Sequence, residues 1–324
     1  MEPIKFLHLS EEDIINLDIS MAQVIRLVEK GLAEHGKGKV ENPPKPGIHP
    51  VGGNFIHAMP AYYQDLNIGG IKWVSGFPGN RTRGLPQIIG LVVLNDMGTG
   101  QPTCVMDGTW ITAMRTPAVS AVTAKYCARA DSAVLGIVGA GVQGRLHPVA
   151  IKEVLPGLET VQVFDLNPQA SQKFKEETEA QTGLKVVICP DVESLAKSSD
   201  IIVTATQRLE RPLIKNQWFP KGALGMGLEA SRAWCGDTIL AADKFVTDDW
   251  NQTSSYKAAG AFPDGLPSSY AELGTIITGK NKGRENDEER ILAINIGLAL
   301  EDIILADYIY RTAKKRGGYT ELSL

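Results

Sequence analysis

The sequence predicts an α/β protein of two domains: an α+β part with a mostly antiparallel sheet, and a doubly wound parallel sheet after it. Three observations lead there. The chain has 324 residues, long for one ordinary domain and comfortable for two. Residues 54–107 carry short β-branched segments bounded by Gly, Pro or Asn. From about Thr116 onward, continuous apolar runs alternate with helical segments, which is how parallel strands covered on both faces read.

In order along the chain, residues 18–37 form an amphipathic helix, because Met21, Val24, Ile25, Val28 and Leu32 recur at three- and four-residue steps. Asp18 and Ser20 offer caps, and Gly36 and Gly38 end it. A proline loop, Pro43-Pro44-Lys45-Pro46, follows. Strands are expected at Phe55–Pro60, Gly70–Gly76 and Ile88–Leu94, the last joined to Pro102–Met106 as a hairpin through the turn at 95–100. A helix (Ala118–Ala128) leads into the apolar run Ala133–Val138, a glycine turn and a further helix. Strands then fall at Thr160–Phe164, Lys185–Ile188 and Asp200–Thr204, with helices at Gln169–Gln181 and Val192–Lys197 between them. After Val246–Asp248 the chain reads as loop through Pro267. A last helix, Glu288–Arg311, is apolar on one side and basic at its end, and is expected to pack back on the first domain.

Composition removes several classes. Apolar residues make up 43% and charged residues 22%, an ordinary globular mixture rather than a disordered one. The net charge of −4 with no basic run leaves no electrostatic footprint for nucleic acid. No apolar stretch reaches membrane-spanning length, and the start lacks the basic end and apolar core of a secretory signal, so a cytoplasmic protein is expected. Cys104, Cys127, Cys189 and Cys235 are scattered and read as free thiols. The histidines show no ligand spacing, and no metal is expected.

Glycine is the outlier, 33 residues or about 10% against a usual ~7%. Gly139-Ala140-Gly141-Val142-Gln143-Gly144 fits G-x-G-x-x-G, follows an apolar strand and opens a helix. The first glycine permits the tight turn, the second lets backbone approach a pyrophosphate, and the third lets helix pack on strand. This is a Rossmann-type arrangement. Asp165 closes the next strand 21 residues beyond Gly144, where a ribose-binding carboxylate is expected. It would repel a 2′-phosphate, and no arginine follows it, so NAD is favoured over NADP. Thr204 and Thr206, at the end of the fourth strand of this half, complete the cofactor-binding candidates. In the first domain Lys72 lies in an apolar strand, where an inward ammonium needs an anionic partner. Lys45 and Arg115 are further cations.

Several blocks in order give these residues a context: Met59-Pro60-Ala61-Tyr62, Lys72 through Asn80, Val105-Met106-Asp107-Gly108, Arg115 through Ala121, Gly139 through Gly144, Ala271-Glu272-Leu273-Gly274, and Gly297 through Asp302. Over nearly its whole length the chain resembles the ornithine cyclodeaminase/mu-crystallin family. The resemblance implies a discontinuous substrate-binding and dimerisation domain around a dinucleotide domain: residues 1–116, then 117–290 for NAD, then 291–324 returning to the first part. It implies a homodimer, a small amino-acid or imine substrate, and hydride transfer at an amino-acid α-carbon. Position by position, Lys72 falls on the family's active-site lysine, Arg115 on a carboxylate-binding arginine, and Lys45 on a second such arginine. Lysine there keeps the charge but loses the planar fork. Met59, Glu229 and Ser231 are substrate-pocket candidates. Ser231 falls where cyclodeaminases place an aspartate that handles the amine, and Glu229 lies two residues away. The expected function is therefore an NAD(H)-dependent amino-acid dehydrogenase or ketimine reductase. The alternatives are an ornithine or lysine cyclodeaminase with recycled NAD, and a non-catalytic NAD(P)H-binding crystallin-like protein.

Overall fold

The computed structural model describes residues 3–207, 209–268 and 270–324, with Arg81 described by its backbone alone. The chain opens with β1 (Lys5–Leu9), α1 (Glu11–Ile15) and α2 (Met21–Gly36). Six strands follow: β2 (Val40–Glu41), β3 (Gly47–Ile48), β4 (Phe55–Tyr63), β5 (Ile68–Gly76), β6 (Ile88–Asn95) and β7 (Pro102–Asp107). Next come α3 (Thr109–Cys127), β8 (Val134–Val138), α4 (Val142–Val154), β9 (Thr160–Phe164), α5 (Pro168–Thr182), β10 (Lys185–Ile188), α6 (Val192–Lys197), β11 (Ile201–Thr204) and β12 (Leu224–Gly227). The remainder is α7 (Gly236–Leu240), β13 (Lys244–Thr247), α8 (Trp250–Ala258), β14 (Tyr270–Glu272), α9 (Leu273–Ile277), β15 (Ile291–Ile294), α10 (Ala299–Arg316) and β16 (Thr320–Ser323). These elements form two compact units, Met1–Arg115 with Gly297–Leu324, and Thr116–Ile296.

The first unit is a sheet in the order β16-β1-β7-β6-β5-β4-β2, with β3 also on β4. Only the β1–β7 pairing is parallel. Helix α2 forms because Ser20 and Gln23 make a reciprocal capping box and Met21, Val24, Ile25, Val28 and Leu32 bury one face. Helix α10 packs on β4, β5, β6 and α2. Its buried face includes Leu300, Ile303, Ile304 and Leu305, together with the charged pair Glu301 and Asp302.

The second unit is an eight-stranded sheet, order β10-β9-β8-β11-β12-β15-β13-β14, with every pairing parallel. The chain runs outward from β8 through β9 to β10, then returns to lay β11 on the other side of β8. That reversal is the switch point at which such sheets bind ligands beyond their carboxyl ends. Strands β11, β12 and β15 are buried along their full length, which is why they read as unbroken apolar runs. The four cysteines are free.

The structure corrects four readings. The helix expected from Ala118 begins nine residues earlier, at Thr109, and contains Pro117. A proline removes one backbone donor and marks an apparent start, but the packed helix runs through it. The loop after Asp248 contains α8, which has no apolar period and is started instead by the Asp249 side chain accepting from the Gln252 N–H at 2.6 Å. The single helix expected over 288–311 is two elements. Residues 291–294 are a strand of the second unit's sheet, and Gly297, at φ 83°, turns the chain before α10. An apolar run of this length is ambiguous between strand and helix on period alone. Strands β1 and β16, which pair at one edge of the first sheet, were not anticipated.

Gly144 sits in the first turn of α4 with its Cα against the carbonyl oxygen of Gly139, which a Cβ would overlap. We expect Gly144→Ala to cost about 1–3 kcal/mol, read as a lower urea midpoint. An unchanged midpoint would contradict the close packing of α4 on the turn.

Candidate functional site

In the first unit the site is built around one buried amine. Lys72 lies mid-strand in β5, directly across from Met59 on β4 and Val92 on β6, so the three share the face that α10 covers. Lys72 is 0% exposed. Its Nζ lies 2.6 Å from Asp302 Oδ2 and 3.4 Å from the Thr112 hydroxyl. The Arg115 guanidinium spans the acidic pair, with Nε donating to Asp302 Oδ1 at 3.1 Å and Nη1 to Glu301 Oε2 at 2.9 Å. Lys45 Nζ donates to the Gly297 carbonyl at 3.0 Å. A Cβ on Gly297 would stand 2.6 Å from Arg115 Nη1, so only glycine lets the guanidinium lie against the backbone there. Lys45, Lys72 and Arg115 are thus gathered around one short segment, 297–302.

Two features favour negative charge at this place. Each faces a cation, and both lie in the first turn of α10, where free N–H groups and the helix dipole favour negative charge. The lysine is less comfortable. Burial drives its ammonium down, Asp302 pulls it back, and Arg115 and Lys45 push the same way as burial, leaving it at about 8 rather than 10.5. His57, two residues before Met59 on the same face of β4, is lowered to about 4 by burial and then by Lys45. It is therefore a neutral ring at ordinary pH, stacked on Phe55.

In the second unit, the turn after β8 is shaped to hold an anion. Gly139 takes φ 108°, and its Cβ would stand 2.6 Å from the Ala205 carbonyl oxygen. Gly141 caps α4, and Val142, the first helical residue, is exposed. Asp165 closes β9 with one carboxylate oxygen accepting from the Ala140 N–H at 2.8 Å and the other from Asn167 N–H at 2.8 Å. Each oxygen keeps a lone pair for a further donor such as a ribose hydroxyl. Gln143 and His147 follow on α4. His147 is fully buried, with Nδ1 on the Gln143 carbonyl at 2.7 Å and Nε2 on Ser120 Oγ at 2.9 Å. A carbonyl can only accept, so Nδ1 carries the proton and Ser120 donates to Nε2.

The remaining candidates take roles the sequence did not suggest. Glu229 accepts from Thr204 Oγ1 at 2.8 Å, from Thr206 N–H at 3.0 Å and from the Thr206 hydroxyl, so both its oxygens hold the segment after β11. Thr204 in turn accepts from Trp234 Nε1 at 3.1 Å. Ser231 is buried and accepts from the Phe262 N–H at 2.8 Å. Glu301 and Asp302 stand in the sequence only within a resembling block, which gives them no role. The available signal was an acidic pair inside an otherwise apolar helix start.

A two-unit α/β chain with a glycine turn on a parallel sheet and a buried lysine set among carboxylates and cations defines a narrow class. Residues 8–317 match the ornithine cyclodeaminase/mu-crystallin family, and the chain belongs to it. It is 34% identical over 322 residues, 99% of either chain, to the nodulation efficiency protein NfeD of Rhizobium meliloti. It is 32% identical over 312 residues, 94% of either chain, to an alanine dehydrogenase of Archaeoglobus fulgidus. The solved structure of Thermococcus litoralis Δ1-pyrroline-2-carboxylate reductase in complex with NADH and L-proline matches with a TM-score of 0.87 at 34% identity, covering 97% of this chain and 99% of that one. Relatives of the chain thus include oxidoreductases of amino acids and imines, and the family also holds ornithine cyclodeaminases.

Removing one partner from a buried ion cluster strands the others. Asp302→Ala is expected to cost about 3–5 kcal/mol in urea denaturation. It should also lower the Lys72 pKa further, since Asp302 is what holds it up. A variant as stable as the wild type would show that the cluster does not hold α10 to the sheet.

Proposed function

We propose that the chain is an NAD(H)-dependent oxidoreductase that interconverts an amino acid and its imine at the α-carbon. The observation that carries the reading is the buried Lys72, held between Asp302 and Thr112 beside Arg115. With Lys72 protonated, Lys45, Lys72 and Arg115 bring three positive charges against the two of Glu301 and Asp302, and the one net positive charge is the complement of a single substrate carboxylate; with Lys72 neutral, Lys45 and Arg115 are left to hold it. Such a clamp sets the α-carbon in place, and orientation of this kind is worth several kcal/mol of barrier.

The glycine turn, the exposed first turn of α4 and the Asp165 carboxylate fit NAD. Gly139 through Gly144 would hold the pyrophosphate and Asp165 the adenosine ribose, while a 2′-phosphate on that ribose would be repelled. When bound, the dinucleotide accepts a hydride from the substrate α-carbon or returns one to it. The chain's own residues do the rest. In the oxidative direction the amine must also lose a proton, and Lys72 in its neutral form takes it. In the reductive direction the protonated Lys72 gives the proton back to the nitrogen. An amine poised near pH 8 can serve both directions.

Cyclodeamination needs more, because a side-chain amine must attack the imine and ammonia must leave. The stretch that supplies a free carboxylate for this in cyclodeaminases carries Ser231 here, and Glu229 is occupied by Thr204 and Thr206. This favours the simple redox reaction. The outer face of the first unit's sheet carries exposed Trp73 paired directly with exposed Leu91, which suits burial against a second copy in a homodimer.

The test is an NADH-coupled screen over amino acids, cyclic imines, and 2-oxo acids with amines. Stoichiometric NADH change is expected; ammonia and proline from ornithine without net NADH change would sink the redox reading. The oxidative rate should rise as pH passes about 8, the value that burial gives Lys72. Lys72→Ala should lower turnover by ~10²–10⁴ with NADH affinity held within about twofold; lost NADH binding would contradict its role at the substrate. Asp165→Ser should reduce the preference for NAD over NADP, and an unchanged ratio would refute the carboxylate's part in cofactor choice.

A further inference from the structure

The start of α10 is not capped by its own sequence. The residue before its first turn is Leu298, whose side chain has no acceptor for the free N–H groups there. Asn42 supplies one from 258 residues away: its Oδ1 accepts from the Leu300 N–H at 3.0 Å. The carbonyl of Leu300 accepts from the Tyr63 hydroxyl at 2.8 Å. Leu300 is thus held through both its N–H and its carbonyl, immediately before Glu301 and Asp302. Lys45, at the other end of the proline stretch, holds the Gly297 carbonyl at 3.0 Å.

The chain between Asn42 and Lys45 is stiff. Pro43 and Pro44 fix φ, and each proline keeps the residue before it extended. On its other side Asn42 follows β2, whose Val40 and Glu41 pair with Tyr63 and Tyr62 of β4. Strand β4 pairs in turn with β5, which carries Lys72. The cap and the amine therefore belong to one sheet, and Asp302 is presented to that sheet by the helix the cap holds. We infer that Asn42 is a positioning residue: by capping α10 from the sheet, it seats Asp302 against Lys72. Asp302 Oδ2 stands 2.6 Å from the ammonium, and a helix start left free to fray would lengthen that contact. Around the amine stand Asp302 from α10, Arg115 from α3, Lys45 from the proline stretch and His57 from β4, while Glu301 acts on it through Arg115. Among these Asp302 is the group that strengthens the amine's hold on its proton, so a slack cap weakens that hold. The bearing of Asn42 on turnover rests on the amine–imine reading above; its bearing on the amine does not.

The experiment follows the amine itself. The full chain is labelled with lysine enriched in an NMR-active carbon at Cε, and the Lys72 signal is identified by its loss in Lys72→Arg. In wild type it should titrate at about 8, and in Asn42→Ala the midpoint should fall by roughly half to one pH unit. Asn42→Asp keeps an acceptor of the same reach and should return the midpoint to the wild-type value or above it. Tyr63→Phe releases the other grip on Leu300 and should lower the midpoint as well. It serves where Asn42→Ala does not fold, and an unmoved midpoint in it then overturns the inference. The pH profile of the oxidative rate should shift down with the titration. An unchanged Lys72 midpoint in folded Asn42→Ala overturns the assignment, and a uniform loss of rate alongside it would make Asn42 a support of the helix alone. A midpoint that falls while the oxidative profile stays in place upholds the seating of Asp302 and refutes instead the part of Lys72 in proton transfer.

Discussion

The first unit depends on one constraint: two carboxylates and two cations are buried together, and none is tolerable without the others. Taking a single charge out of water costs several kcal/mol even after relaxation, and the mutual attraction recovers this only with good geometry. Here the geometry is specific. Asp302 is shared between Lys72 and Arg115, and Glu301 takes a second donor of the guanidinium. Because the lysine comes from β5, the arginine from α3 and the acids from α10, the cluster fixes the register of three elements at once. Hydrophobic packing of α10 on the sheet would allow sliding by a turn; the ion cluster does not.

The same arrangement sets the proton affinity of the amine. A lysine matched only by Asp302 would be held firmly protonated. Arg115 and Lys45 add positive charge nearby, and burial removes water, so its affinity for the proton is reduced to a value that can be crossed. The seating of α10 and the proton affinity of Lys72 therefore draw on one cluster, with Lys45 acting on the amine alone. The second unit works differently. Its glycine turn and Asp165 are organised by backbone N–H groups, with the carboxylate already oriented by Ala140 and Asn167 before any ligand arrives.

What was legible in the sequence follows from how local each signal is. The parallel sheet, the glycine turn and Asp165 are contiguous patterns with fixed spacing, and the structure places them as the spacing required. Helix α2 was equally plain from its apolar stripe. The elements missed are those whose identity is decided by distant packing. Ile291–Ile294 reads as helix until β12 and β13 lie on either side of it. Helix α8 has a polar sequence and depends on the Asp249 cap. Residues Glu301 and Asp302 look like the solvated start of a helix, and nothing nearby in sequence shows that Lys72 and Arg115 are waiting for them. Glu229 shows the reverse error: its position in the stretch suggested openness to substrate, but Thr204 and Thr206, more than 20 residues away, occupy it.

The discontinuity of the first unit has a consequence for how the molecule comes into being. Arg115 and Asp302 are separated by 187 residues. At ordinary ribosomal rates of ~5–20 residues per second, the arginine emerges roughly 10–40 seconds before its acidic partner exists. During that interval the N-terminal sheet has an ammonium and a guanidinium with no carboxylate to receive them, so it cannot close over its core. The parallel-sheet unit, by contrast, is complete in sequence once β15 is made. The parallel sheet of the second unit can thus form while the first unit is still open. Helix α10, made after the parallel-sheet unit, is the one that shuts it, so a chain that terminates before α10 never completes the ion cluster.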